Sequence, residues 1–108
     1  MIINKTKNKI ISQKELVCKN IVSQARGLMF RKQQNLIMIF EKEKKVSLHM
    51  FFVFYPIDVL IVDGNNVIKE IKRNFKPFAV WNSKEEGKYV IELGLPFHYE
   101  LNDKIELR

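Results

Sequence analysis

The sequence predicts a mainly β domain, an antiparallel sandwich or barrel-like fold with one short amphipathic helix. Three observations carry this. Apolar runs of strand length recur between turn signals along most of the chain. Only the stretch from Ile21 to about Phe30 repeats its apolar residues at helical spacing. The connections between the later runs are too short to hold crossover helices, which favours antiparallel neighbours.

The N-terminal residues read as short strands. Ile10-Ile11 and Leu16-Val17 are apolar pairs around the polar Ser12–Glu15, and Lys5–Lys9 forms a turn or a charged edge. In the helix, Ile21, Val22, Ala25, Leu28 and Met29 fall on one face, and Asn20 stands at the N-cap position. Gly27 interrupts it, at a cost of about 1 kcal/mol relative to alanine in a helix interior. Such a glycine either permits close backbone approach or ends the helix.

Leu36–Phe40 is an apolar run suited to a strand buried on both faces, and Val46–Tyr55 resembles it, crowded with Phe51, Phe52, Phe54 and Tyr55. Pro56 then interrupts strand pairing because it has no N–H to donate. Val59–Val62 and Val67–Ile71 flank Asp63-Gly64-Asn65-Asn66, the clearest hairpin in the chain. Phe75–Asn82, with Pro77 and Trp81, reads as irregular or edge. Tyr89, Ile91 and Leu93 alternate with Val90 and Glu92, and Gly94-Leu95-Pro96 ends that strand. Asn102-Asp103 is a turn before a last strand at Ile105–Leu107. Seven to nine short strands and one helix are expected.

The 108 residues suit one domain, 1–108, and no repeat or linker divides them. The single cysteine, Cys18, excludes an internal disulfide and every C-x-x-C motif, and points to a reducing, cytoplasmic setting. The N-terminus lacks the apolar stretch of a secretory leader, and no run is apolar for long enough to span a bilayer. The net charge is +7, all of it accumulated in residues 1–32, where eight basic residues face only Glu15. A basic face can attract phosphate or an acidic surface, but scattered lysines are also the ordinary solvated surface of a Lys-rich chain.

An ordered set of segments carries a family likeness. It runs from Arg26-Gly27-Leu28-Met29-Phe30-Arg31 through Leu36–Phe40, His49-Met50-Phe51-Phe52 and Pro56-Ile57-Asp58-Val59. It continues in the hairpin, Tyr89–Leu93 and Asn102-Asp103. From about Leu16 onward the chain resembles the archaeal and bacterial family called domain of unknown function 192. The resemblance implies a β-sandwich-like fold with the helix packed on it, and it implies no activity. The chain departs from the commoner family pattern in two places. Phe51-Phe52-Val53 stands where many members have a polar Lys-Asn-Thr, and Asn102-Asp103 stands where many have Gly-Asp.

Four residues are candidate ligand contacts: Arg26, Met50, Asp58 and Glu92. Asp58 opens an apolar strand, where a carboxylate must be paired or hydrogen-bonded to be buried. It either serves a ligand or acid–base chemistry, or accepts backbone N–H groups and pins the strand, with Arg26 as a possible ion-pair partner. Alternation gives Glu92 the solvent face by default; if that face is covered, it becomes a second candidate carboxylate. His49 and His98 lack metal-ligand spacing, so neither a metal nor a cofactor is expected. Cys18, just before the helix, is either a core hydrophobe or a thiol activated by the helix N-terminus. The Phe51–Tyr55 rings cannot all point inward, and any exposed ones would mark a partner surface.

No catalytic spacing is present, which favours a non-catalytic binding module for a small ligand or a protein. Two alternatives remain. One is a small enzyme using Asp58 and Glu92 on a polar or sugar-like substrate, which requires both in one pocket. The other is nucleic-acid or anionic-surface binding through residues 1–32, which requires its cations to share a face.

Overall fold

A computed structural model describes residues 1–94 and 98–108, apart from the side chain of Ile21. Leu95 and Pro96, read from sequence as a strand breaker, lie outside the described residues. Among the described residues, ten strands and one helix follow in order: β1 Ile2–Asn4, β2 Lys9–Ser12, β3 Glu15–Cys18, α1 Ile21–Arg26, β4 Asn35–Lys44, β5 Ser47–His49, β6 Ile57–Val62, β7 Ile68–Phe75, β8 Val80–Asn82, β9 Gly87–Leu93 and β10 Ile105–Leu107.

The central sheet has the order β3-β4-β9-β6-β7; β3 and β7 are its edges, so it is open and no barrel closes. Its pairs are antiparallel except β3–β4, which run parallel because α1 carries the chain back across the sheet. A wholly antiparallel reading missed that crossover. A three-stranded sheet, β10-β1-β2, and the β5–β8 pair complete the architecture.

Alternation divides the core in two. Leu36, Met38 and Phe40 of β4, Ile57, Val59 and Ile61 of β6, and Val90 of β9 point to one face, where Leu28, Val46, Met50 and Val53 cover them. Ile37, Leu60, Val62, Ile91 and Leu93 point to the other, packing against Ile2, Ile11, Tyr99 and Ile105. Burial on both sides explains why β4 and β6 read as continuous apolar runs.

Two segments differ from their sequence reading. The helix stops at Arg26 because Gly27 takes φ 51°, ψ −126°, and its N–H donates to Ser23 O. The N-cap end also follows expectation, with Asn20 Oδ1 accepting from Ser23 N–H at 2.8 Å. The helix is too short to present the expected apolar face: Val22 is 81% exposed, while Leu28 is buried from the turn beyond. Gln24 anchors α1 instead, donating to Ile39 O of β4 at 3.0 Å.

The Val46–Tyr55 run, strand-like by composition, pairs only over Ser47–His49. It then turns, with Val53 N–H donating to Met50 O and Phe52 at φ 58°. Here tertiary hydrogen bonds override β-propensity. The Asp63–Asn66 hairpin forms as read, but Asn66 rather than Gly64 carries the positive φ. Asp63 Oδ1 holds the turn by accepting from Asn65 and Val67 N–H.

Candidate functional site

Glu92 is the focus of the site. In β9 it pairs with Leu36 of β4 and Val59 of β6, in the middle of the central sheet. Its side chain leaves the face opposite Ile91 and Leu93, as alternation requires. That face is not open to solvent, however. The α1 segment and β5 cover it, and Glu92 is only 6% exposed. The default solvent-facing reading of Glu92 is thus corrected by a helical crossover that alternation cannot reveal.

The covering element lies within van der Waals reach of the carboxyl. A β-carbon built at Gly27 would lie 3.6 Å from Glu92 Oε1 and 3.7 Å from Met38 Cε. A β-carbon there would meet only ordinary contacts, so of the two properties suspected of Gly27 from sequence it is helix ending, through its positive φ, that is realised. Between these elements lies a cleft of about 270 Å³. Glu92 shares its lining with Arg26, Leu28, Met38, Leu48, His49 and Val53. A neighbouring hollow continues past Gln24 to Lys44 and Lys45.

Among the described residues, none donates a hydrogen bond to the Glu92 carboxyl, yet no buried side-chain oxygen or nitrogen is left without a partner. The carboxyl oxygens therefore open into the cleft. Removal from bulk water pushes the Glu92 pKa up to about 7. Burial also raises the Cys18 thiol and the Tyr55 phenol, and the Glu92 charge adds to both, while Arg31 opposes it. Cys18 is 1% exposed, a core side chain rather than an activated nucleophile.

His49 closes one rim. Its Nδ1 faces Phe51 N–H at 3.2 Å, which makes Nδ1 the acceptor. Nε2 is then the protonated nitrogen and donates to Ala25 O at 3.3 Å, tying β5 to the last turn of α1. From the sequence alone His49 reads only as a candidate metal ligand. Among the described residues no group of three His, Cys, Asp or Glu side chains could hold a metal.

The other candidates separate. Arg26 lines the cleft, with its Nε donating to Met29 O at 3.4 Å. Met50 is a buried core residue next to the rim residue His49. Asp58 projects from the opposite side of the sheet, because it sits opposite Leu93 while Val59 sits opposite Glu92. There Asp58 accepts from Asn74 N–H at 2.9 Å, from Tyr99 Oη, and from Arg73 at 3.5 Å. Arg73, not Arg26, is its ion-pair partner. Arg73 also donates to Tyr99 O and lies over the Tyr99 ring, so Asp58 and Arg73 together hold Tyr99 against β6 and β7. Burial and the adjacent Asp58 raise the Tyr99 phenol pKa. The two carboxylates thus do not share a pocket.

The cations of residues 1–32 divide as well. Lys5 and Lys7 pair with Glu106 and Asp103 beside the three-stranded sheet, whereas Arg26 and Arg31 belong to the helix side. No helix among the described residues is long and apolar enough to cross a membrane.

Comparison with known proteins follows the same architecture. The family described as "Uncharacterized ACR, COG1430", domain of unknown function 192, matches residues 2–102. A UPF0127 protein of Thermococcus sibiricus is 32% identical over an alignment of 96 positions that covers 85% of this chain and 62% of that protein. The chain thus spans less than two thirds of that relative. One of Pyrococcus abyssi is 29% identical over an alignment of 113 positions, gaps included, covering 98% of this chain and 96% of its own length.

Two solved structures share the fold, each with a TM-score of 0.73. A Sinorhizobium meliloti protein provisionally assigned as a transcription regulator is 24% identical, covering 83% of this chain and 78% of its own. A Novosphingobium aromaticivorans protein of unknown function is 20% identical, covering 84% and 72%. At these identities the likeness concerns the fold alone. The family match and the archaeal relatives together establish that this chain belongs to the domain of unknown function 192 family.

Proposed function

We propose that the domain is a non-catalytic binding module that takes a small ligand in the cleft over Glu92. One observation carries the reading. A carboxyl in the middle of a sheet, nearly shut off from water, faces a cleft and receives no hydrogen bond from the described residues. A carboxyl so poorly hydrated is costly to ionise, and a ligand donor reaching it through the cleft would offset that cost. The lining suits a ligand with an apolar body against Leu28, Met38, Leu48 and Val53 and a hydroxyl or amine donor directed at Glu92. Arg26 at the rim offers a counter-charge to an acceptor group.

The separation of Asp58 and Glu92 weighs against the acid–base alternative, since divided roles need both groups at one reacting centre. The division of the basic residues between two layers weighs against a phosphate-binding face built from residues 1–32. The test is a thermal-shift screen of small hydroxyl- and amine-bearing compounds against the wild type and Glu92→Gln. A compound present at 100 times its Kd stabilises the native state by about 2.7 kcal/mol. A stabilising compound whose effect disappears in the variant supports the reading. Hits that stabilise both proteins equally would move the site elsewhere.

A further inference from the structure

Three loops meet beside the cleft: residues 27–34 after α1, residues 50–56 after β5, and residues 76–79 between β7 and β8. Phe30 N–H donates to Phe52 O at 2.9 Å, while Met50 N–H donates to Ala79 O and Phe78 N–H to Met50 O, both at 2.8 Å. The loops raise four phenylalanines into solvent: Phe30, Phe52, Phe54 and Phe78 are 64, 43, 66 and 52% exposed. Their rings form one chain. Phe30 stacks on Phe52 at 4.7 Å, Phe52 meets Phe78 edge-on at 6.0 Å, and Phe54 meets Phe78 at 5.8 Å.

Three of the four have positive φ: 57° at Phe30, 58° at Phe52 and 62° at Phe78. Bulky residues rarely take that conformation, and asparagine or glycine would take it with less strain. Core packing does not demand these rings, because they are exposed. Strained backbone that presents contiguous apolar area to water marks a surface kept for a partner.

Charge identifies the partner. Segments 26–34, 49–56 and 75–79 contain Arg26, Arg31, Lys32 and Lys76 and not one acidic residue. None of these four cations enters an ion pair among the described residues. We propose that this face docks the domain on an anionic membrane surface, with the phenylalanine rings entering the boundary between headgroups and acyl chains and Arg31, Lys32 and Lys76 meeting lipid phosphates. Phenylalanine has no polar atom to satisfy, so its partner need supply only apolar volume. The rings turn their faces and edges to one another, which suits insertion as a wedge better than stacking of successive nucleic-acid bases. The inference stands independently of any ligand over Glu92.

The test is flotation of the full chain with vesicles of phosphatidylcholine, with and without phosphatidylglycerol. Wild type is expected to float with the anionic vesicles, less with neutral ones, and less as salt rises. A Phe30→Asn/Phe52→Asn/Phe78→Asn variant relieves backbone strain while removing the rings. It is expected to melt at or above the wild-type temperature and to bind anionic vesicles at least about tenfold more weakly. Lys32→Gln/Lys76→Gln is expected to weaken binding to anionic vesicles only. Should the triple variant not fold, Phe54→Ser, at an exposed position without positive φ, carries the same expectation at smaller size. Three results would overturn the proposal. They are wild type that ignores anionic vesicles, ring variants that float like wild type, and a lipid-indifferent chain whose self-association or oligonucleotide binding the same substitutions abolish.

Discussion

Glu92→Gln provides a test in which the structure sets both sign and size. The folded carboxyl titrates at about 7, pushed up by burial, against the ordinary 4.5. Below pH 4.5 both folded and unfolded chains hold the proton, and Glu92 costs nothing. Between 4.5 and 7 the unfolded chain releases a proton that the folded chain retains, so stability falls as pH rises across that window. Above 7 the loss is complete, at about 3 kcal/mol. Glutamine has the same shape and no titration. Any fixed cost of its amide is the same at every pH and drops out of the comparison. Thermal melts of both proteins from pH 4 to 8.5 should show the variant gaining on wild type through that window, by a Tm difference on the order of 10–20 °C. A difference that stays flat with pH would refute the reasoning, because Glu92 would then carry no burial cost.

Other substitutions probe the surrounding parts. Gly27→Ala forces a β-carbon into a positive-φ position over Glu92 and should cost about 1–2 kcal/mol in urea unfolding; an unchanged midpoint would contradict it. Tyr99→Phe removes a buried hydroxyl bonded to Asp58 and should cost about 1–3 kcal/mol, while leaving any ligand of the Glu92 cleft bound as tightly as before. Asp103 accepts from Asn4, Lys7 and Glu100 N–H. Burial raises its pKa, but these bonds outweigh burial and hold it below the usual value. Its contribution is present above pH 3.8 and lost on further acidification. Asp103→Asn should therefore be less stable than wild type at neutral pH, with the gap narrowing in acid.

Much of the fold is legible in the residues because its main signals are local. Asn20 caps the helix, the Asp63–Asn66 cluster turns a hairpin, and doubly buried strands spell continuous apolar runs. What stays hidden depends on distant segments. Alternation correctly gives Glu92 a face different from Ile91 and Leu93. It cannot tell that α1, about seventy positions earlier, covers that face. Asp58 shows the reverse. Its burial is readable from its neighbours, but its partners Arg73 and Tyr99 come from two other segments. Gly27 is legible as an anomaly, and only the structure shows that it answers a positive φ at the helix end rather than a tight contact. The Phe-rich run misleads most, since β-propensity favours a strand where backbone bonds to Phe30 and Ala79 build a loop.

The most direct test of the account is an amide NMR titration of the full chain with a hit from the small-molecule screen, in wild type and Glu92→Gln. Shifts are expected at Gly27, Leu28, Leu48, His49, Val53 and Glu92, with their loss in the variant. Shifts confined to Asp58, Asn74 and Tyr99, or a wild-type pattern preserved in Glu92→Gln, would contradict it.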